Sequence, residues 1–173
     1  MKNLVINNIS RSIEKQILVV FAASILLAIS AKVAIPLGPV PFTLQTITVI
    51  FLTILLGKQL GLAAVSLYLL EGICGLPVFA SASWTSTGYL LGFLGSVCLT
   101  DSLYKTWNDR SVTSLFFFGL ISILPIFLLG LIVLALFIGI KSAFWIGVYP
   151  FIFSELAKCF ALALFLHRFL KKS

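Results

Sequence analysis

Charged residues are scarce in this chain. They make up 10% of its 173 residues, whereas hydrophobic residues make up 61%. The mean hydropathy is +1.19. A soluble domain carries about a quarter of its residues charged, because its surface must be hydrated. So little polar surface excludes a soluble globular protein and indicates that the protein is embedded in a lipid bilayer.

The residues that build metal and catalytic sites are also few. The chain has one histidine, and its three cysteines, Cys74, Cys98 and Cys159, lack the spacing of metal ligands. We expect the cysteines to be small packing residues. The sequence contains no phosphate-binding loop and no nucleophile paired with a base. We therefore predict a protein that is not an enzyme, uses no metal or cofactor, and cannot drive transport by its own ATP hydrolysis.

The net charge of +7 comes from basic residues that lie singly or in small groups at the edges of apolar runs. This distribution is typical of membrane topology and argues against nucleic-acid binding. With six spans, the outer side holds only Lys32 and Lys141. We therefore predict that both termini are cytoplasmic and that residues 1–15 form a cytoplasmic segment before a retained first helix. The predicted inner basic residues are Lys2, Arg11, Lys15, Lys58, Lys105, Arg110, Arg168, Lys171 and Lys172.

The apolar runs predict an all-α integral membrane bundle of six transmembrane helices, with residues 1–173 in one domain. Proline bends are expected at Pro125 and near Pro150. The outer loops Pro36–Phe42 and Gly75–Ser86 carry no charge, and loops of this kind can cover a pocket. The predicted helices are Gln16–Ile35, Thr43–Leu56, Leu60–Cys74, Thr87–Leu103, Leu115–Ile140 and Ala143–Leu170.

Two residues of opposite charge lie in the middle of the last apolar run. Glu155 and Lys158 are three residues apart, so both project from one face of a helix. A charge at the bilayer centre costs at least about 2.5–3.5 kcal/mol. One interpretation is an internal salt bridge that only neutralises itself. The interpretation that we favour is a polar cavity in which the pair meets the carboxylate and the N–H donors of a small solute.

The other polar residues suggest structural roles. Asp101 and Lys105 are spaced for an ion pair on a helix surface. Glu71 is expected to pair with Lys32 or to reach interfacial water, and His167 is expected at the inner interface with no ligand role. At the start of the second predicted helix, Thr43 can cap free N–H groups, whereas the amide of Gln45 needs partners within lipid.

Five segments together resemble the BioY family, the biotin-binding substrate components of energy-coupling-factor transporters. The resemblance extends over residues 31–164. It includes the proline-rich first-loop signature, a glycine-leucine-proline block, and a last-helix segment that is similar to the family's Pro-Gly-Asp-x-x-Lys. The segments are Ile35-Pro-Leu-Gly-Pro-Val-Pro-Phe-Thr-Leu-Gln-Thr46, Leu67-Tyr-Leu-Leu70, Gly75-Leu-Pro-Val-Phe-Ala80, Thr87-Gly-Tyr-Leu-Leu-Gly-Phe93 and Phe151-Ile-Phe-Ser-Glu-Leu-Ala-Lys158.

The resemblance implies that biotin binds from the outer side of the bacterial cytoplasmic membrane, with the first and third loops closing over it. It gives Glu155 the ureido N–H groups of biotin and Lys158 the biotin carboxylate. The implied partners are a membrane coupling subunit and ATPase subunits, with small residues of the first helix packing on the coupling subunit. The further pocket residues are Thr43, Gln45, Phe79 and Tyr89, and the packing residues are Ser24, Ala28 and Ala31.

This chain also departs from the family pattern. Glu155 replaces an aspartate, Phe153-Ser154 replaces Pro-Gly, and the third loop from Ala80 to Thr87 is short. We predict that Trp84 fills part of the space that this loop leaves. The alternatives are a binding subunit for another vitamin or small carboxylate, and a membrane scaffold without a ligand.

Overall fold

The computed structural model describes residues 12–35, 40–81 and 83–172, and these form a helical bundle. The predicted cytoplasmic segment up to residue 11, with Lys2 and Arg11, lies outside the described residues, as do residues 36–39 of the predicted proline loop. A short 3₁₀ turn at Trp84–Ser86 precedes α3. The elements are α1 Ile13–Lys32, β1 Ala34–Ile35, β2 Phe42–Thr43, α2 Gln45–Ile73, α3 Thr87–Thr106, α4 Val112–Ser122, α5 Leu124–Ile138, α6 Ile140–Gly147 and α7 Tyr149–Lys172.

Helix α2 reverses its direction at Gly57. The side-chain amide of Gln45 donates to the hydroxyl of Tyr68 at 2.7 Å, although a straight helix would separate residues that far apart in sequence by about 35 Å. Gly57 adopts φ 74°, which glycine tolerates without strain. Asp101 Oδ1 accepts the N–H of Lys58 at 3.1 Å and so caps the second arm. The turn predicted at this position is confirmed.

The bend predicted at Pro125 is confirmed as a break at Ile123, between α4 and α5. Proline has no N–H to donate, and the N–H of Ile126 bonds to the carbonyl of Ile123. The carbonyl of Ser122 accepts the hydroxyl of Ser96 from α3 at 2.7 Å. A neighbouring helix thus satisfies a backbone group next to the break, as an apolar environment requires.

The last apolar run is also broken near Pro150, as predicted, because Val148 leaves the helical conformation between α6 and α7. Gly139, with φ 79°, turns the chain so that α6 packs back against α5. A Cβ at Gly147 would lie 2.4 Å from both a methyl group of Leu134 and the hydroxyl of Tyr89. The turn and this close packing bring α7 to the cavity described below.

The sequence prediction was wrong where the first helix gives way to the second. Helix α1 ends at Lys32, and Ala34–Ile35 pairs antiparallel with Phe42–Thr43. Thr43 is therefore a strand residue, and α2 begins at Gln45. The short strand pair satisfies backbone groups that would otherwise be unpaired as the chain leaves one helix and enters the next.

Four helical stretches among the described residues are long and apolar enough to cross a bilayer, which indicates a multi-pass membrane protein. The buried core includes Tyr68, Phe118 and Leu27. Large apolar side chains also cover the outside of the bundle, which is typical of a surface in contact with lipid. The four stretches are Ile13–Lys32, Gln45–Ile73, Val112–Ile138 and Ile140–Lys171.

Candidate ligand-binding site

An internal cavity of about 50 Å³ lies where the start of α2, the loop after α2, and helices α3, α5 and α7 meet. This volume holds only a few water molecules, so a larger ligand must move the walls apart. One end is polar and the rest is mainly aromatic and aliphatic. The lining residues include Thr43, Gln45, Thr46, Phe79, Ser86, Tyr89, Phe93, Ile126, Phe127, Phe151 and Glu155.

The polar end is built around Glu155, which is only 3% exposed. Thr46 Oγ1 donates to Glu155 Oε2 at 3.0 Å, and Lys158 forms an ion pair with Glu155 Oε1. The ammonium of Lys158 also donates to the carbonyl of Thr43 at 2.9 Å and to Thr46 Oγ1 at 3.2 Å. The two charges are therefore paired within the bundle. Glu155 lines the cavity, whereas Lys158 lies behind it.

Helix α7 sets the orientation of this pair. Glu155 and Lys158 are one turn apart, and Phe151 lies one turn before them on the same face. The ring of Phe151 stacks on Phe42 of β2, with centroids 4.2 Å apart. This contact and the bond from Lys158 to the Thr43 carbonyl join α7 to the strand pair. The ionic pair is therefore in direct contact with the strand pair.

A second polar group links the cavity to the loop after α2. The backbone N–H of Gln45 donates to Thr43 Oγ1 at 3.3 Å, and that hydroxyl donates to Gln45 Oε1, also at 3.3 Å. Gln45 Nε2 donates to the hydroxyl of Tyr68, which in turn donates to the carbonyl of Val78 at 3.4 Å. The amide thus finds the partners that it needs in lipid, and Thr43 satisfies the first N–H of α2.

Phe79, a residue of this loop, forms part of the cavity wall. Its ring lies edge-on to Tyr68, with centroids 5.3 Å apart, and it packs so tightly over Gly72 that an added Cβ there would lie 2.0 Å from the ring. The ammonium of Lys32 donates to the carbonyl of Phe79 at 3.1 Å. Helix α1 therefore helps to hold the loop in place.

Tyr89 forms the opposite wall. Its side chain is buried and its hydroxyl donates to the carbonyl of Gly147 at 2.8 Å. The ring meets Phe127 edge-on, with centroids 6.1 Å apart. The carbonyl belongs to the last residue of α6, next to the break at Val148. The hydrogen bond therefore ties the Tyr89 ring to the end of that helix.

Comparison with known proteins identifies the family. The sequence model of the BioY family matches residues 2–173. This chain belongs to the BioY family. It is 35% identical to the biotin transporter BioY of Thermotoga maritima over 80% of this chain and 86% of that protein. It is 33% identical to the probable biotin transporter BioY of Pyrococcus horikoshii over 77% and 82%, respectively.

A solved structure shares the BioY fold. The crystal structure at 2.1 Å of the S-component for biotin from an ECF-type ABC transporter superposes with a TM-score of 0.74. It covers 94% of this chain and 95% of that chain, at 20% sequence identity. The two chains therefore share a fold, and the family resemblance found in the sequence is confirmed by the match to the family model.

Several residues of this BioY-family site were not predicted from the sequence, and two of them contact the ionic pair or the first loop. Thr46 contacts both members of the ionic pair, and Phe151 stacks against the first loop. Thr46 carried the same signal as Gln45, a polar side chain within an apolar helix. Phe151 lies four residues before Glu155, so helical periodicity places both on one face. One prediction departs from the structure, since Trp84 is 79% exposed and does not line the cavity.

The predicted packing stripe of α1 is wrong for two of its three residues. Ser24 is fully buried and donates to both carboxylate oxygens of Glu71, at 2.8 and 3.0 Å, and Ala31 is also fully buried. Both residues face the interior of their own bundle, so neither is available to a partner helix. Only Ala28 keeps partial exposure.

The structural roles of the remaining polar residues are partly confirmed. Asp101 and Lys105 form the predicted ion pair. The expected pairing of Glu71 with Lys32 is wrong, because Glu71 accepts from Ser24 and Lys32 donates to the carbonyl of Phe79. A carboxylate that is already held by a hydroxyl gains little from an exposed lysine.

Proposed function

We propose that this protein binds biotin from the outer face and mediates its uptake across the bacterial cytoplasmic membrane as the substrate-binding component of an energy-coupling-factor transporter. The observation that carries the proposal is the buried Glu155 carboxylate, which faces a cavity under two loops. The names of the two relatives and of the solved structure support biotin as the ligand.

The polarity of the cavity lining suits a ligand with a polar ring and an apolar chain. We assign the ureido N–H groups to Glu155, since hydrogen bonds to a carboxylate are stronger than those between neutral groups. The aromatic walls formed by Phe79 and Tyr89 take the apolar part, with Thr43 and Gln45 completing the polar end. We leave Trp84 out of the site because its side chain is exposed.

Lys158 would bind the biotin carboxylate. Its ammonium is held by the Thr43 carbonyl, Thr46 and Glu155. Ligand binding then exchanges some of these contacts for the carboxylate. The small cavity volume requires the walls to part at the same time. Because the strand that carries the Thr43 carbonyl also stacks on α7, this exchange would couple ligand binding to the position of the first loop.

We also propose six spans with both termini in the cytoplasm. The reversal at Gly57 divides α2 into two spans, and α3 supplies another. Under this arrangement Lys58, Lys105 and Arg110 fall on the inner side, in keeping with the distribution of basic residues. The proposed spans are 13–32, 45–56, 58–73, 87–106, 112–138 and 140–172.

The proposed partners are a membrane coupling subunit and ATPase subunits. The sequence lacks a phosphate-binding loop, so uptake driven by ATP would need another chain to hydrolyse the ATP. Ala28 is partly exposed and remains available for packing on the coupling subunit, whereas Ser24 and Ala31 are fully buried and are not available. Co-purification of tagged protein from its native membrane tests this, and we expect an ATPase module to be retained.

Isothermal titration of biotin into purified protein tests the ligand assignment. Replacing Lys158 with alanine removes the carboxylate partner and leaves Glu155 buried without its cation, so we expect affinity to fall at least 100-fold. Lys58→Ala is the matched control, since its exposed side chain lies at the opposite end of the bundle. Biotin binding by Lys158→Ala at the wild-type affinity would show that the site is wrong.

Competition identifies the ligand class. Thiamine, riboflavin and lipoate should fail to displace labelled biotin, because none presents the two N–H groups of a cyclic urea to Glu155. If one of these compounds raises the unfolding temperature of the protein more than biotin does, the ligand is a different vitamin. If no compound raises the unfolding temperature, the scaffold interpretation holds instead.

A further inference from the structure

A basic groove lies at the end of the bundle farthest from the cavity loops. It has a volume of about 290 Å³ and runs between the start of α4 and the last turns of α7. Its lining residues are Arg110, Ser111, His167, Leu170 and Lys171. Three of the five carry basic side chains, and none is acidic. In the proposed topology this end faces the cytoplasm.

Arg110, which lines this groove, has two unpaired hydrogen-bond donors behind its surface. Its guanidinium lies over the ring of Tyr104, 4.5 Å from the centroid, and Nη2 makes only a long bond of 3.5 Å to the Tyr104 carbonyl. Nε and Nη1 are buried without a partner among the residues that the structure describes. Buried unpaired donors are costly, most of all on a charged group. An anionic acceptor at the groove would offset that cost once the guanidinium turns toward it.

Backbone contacts hold the groove together. Nδ1 of His167 is 2.8 Å from the carbonyl of Arg110, which links α7 to the start of α4. The acidic residue next to Arg110 in the sequence, Asp109, accepts the N–H of Ser111 at 2.8 Å and its hydroxyl at 2.9 Å. These bonds hold the pKa of Asp109 below its usual value. The carboxylate thus occupies the helix terminus and leaves the arginine unpaired.

An apolar groove adjoins the basic one. It is lined by Phe165, Arg168, Phe169 and Lys171, so Lys171 belongs to both grooves. The rings of Phe165 and Phe169 stack, with centroids 5.9 Å apart and an interplanar angle of 14°. A molecule that fits both grooves must carry an anionic head and an apolar chain. Free phosphate would use only the first.

We propose that this pair of grooves binds an anionic phospholipid of the inner leaflet, with its phosphate at Arg110 and Lys171 and an acyl chain along Phe165 and Phe169. Arginine suits this role because its planar fork donates two parallel hydrogen bonds to a phosphate. Basic pockets between helices on the cytoplasmic side bind phospholipid headgroups in other membrane proteins. The site does not depend on the identity of the vitamin.

Native mass spectrometry of the full chain tests the proposal by titration with phosphatidylglycerol or phosphatidylcholine after delipidation. We expect phosphatidylglycerol to bind at least tenfold more tightly. Arg110→Gln and Lys171→Gln should each reduce this preference severalfold. Lys58→Gln, which removes an exposed inner lysine away from the groove, should leave it unchanged. Because Lys171 is exposed, Lys171→Gln keeps the test valid if Arg110→Gln fails to fold.

Two results would overturn this assignment. One is an unchanged lipid preference in Lys171→Gln and in folded Arg110→Gln. The other is binding of inorganic phosphate alone to the wild-type protein as tightly as phosphatidylglycerol, which would indicate a simple anion site. The groove variants should still bind biotin, since they lie away from the cavity, so a failed lipid test is distinct from a failed ligand assignment.

Discussion

At the scale of single residues, the ionic pair depends on a hydroxyl that joins its two members. Thr46 donates to Glu155 and accepts from Lys158. In Thr46→Val both contacts are lost, and a buried carboxylate that loses a donor costs about 1–3 kcal/mol. We predict at least tenfold weaker biotin binding by titration calorimetry, together with a lower unfolding temperature.

Thr48→Val is the matched control for that substitution. Thr48 lies two residues farther along α2, and its hydroxyl bonds to the carbonyl of Leu44 in its own helix. We expect both biotin affinity and the unfolding temperature to remain close to wild type. Equal losses in the two variants would show that the hydroxyl of Thr46 has no particular role at the site.

The sequence was sufficient to find the ionic pair but not to orient it. Charges in lipid are rare enough that Glu155 and Lys158 stand out in an apolar run. The position of the lysine ammonium depends on the carbonyl of Thr43, which is far away in sequence and invisible to helical periodicity. Trp84 shows the same limit. An aromatic residue in a loop is equally compatible with a pocket wall and with an exposed surface.

At the scale of elements, the loop after α2 is held over the cavity by an exposed ammonium. Lys32 reaches from α1 to the carbonyl of Phe79. In Lys32→Met this bond is lost while the loop keeps its apolar contacts. An exposed charged hydrogen bond contributes about 1 kcal/mol or less. We therefore predict biotin dissociation that is two- to fivefold faster, measured by chase with unlabelled biotin.

Lys141→Met is the control, because Lys141 is exposed in α6 and also belongs to the proposed outer side. It removes the same charge without touching the loop. We expect its dissociation rate to match wild type. If both variants release biotin faster, the cause is the loss of outer positive charge and not the loop contact.

The hairpin turn of α2 gives an element-scale prediction about stability. Gly57 has φ 74° and ψ 177°, a conformation that is essentially restricted to glycine and costs other residues about 1–3 kcal/mol. Gly57→Ala should therefore lower the unfolding temperature of the protein in detergent. The turn lies at the end of the bundle opposite to the cavity, so the folded variant should bind biotin normally. An unchanged unfolding temperature would show that the turn relaxes without strain.

Helices were easier to predict than the short strands between them. Long apolar runs and the breaks at Pro125 and Pro150 are visible in composition alone. The pairing of Ala34–Ile35 with Phe42–Thr43 involves too few residues for any alternation to appear. The prediction that Ser24 and Ala31 of α1 pack on a partner subunit was wrong for a related reason. Small residues four apart are typical both of helix packing between chains and of helix packing within one chain, and here Ser24 packs within its own.

At the scale of the whole molecule, the proposed function separates binding from energy. Under this proposal the chain binds biotin, and ATP hydrolysis by separate subunits drives its accumulation. We predict that liposomes with this chain alone do not accumulate biotin above the external concentration. Liposomes that also contain the coupling subunit and ATPases should do so when ATP is supplied.

The Lys158→Ala variant distinguishes transport through the site from leakage. In the complete assembly it should abolish accumulation while ATP hydrolysis by the ATPases continues, because the defect lies in ligand binding and not in the energising subunits. Concentrative uptake by the chain alone would instead require another energy source, such as an ion gradient. Adding ionophores would then abolish the uptake and contradict the proposed division of labour.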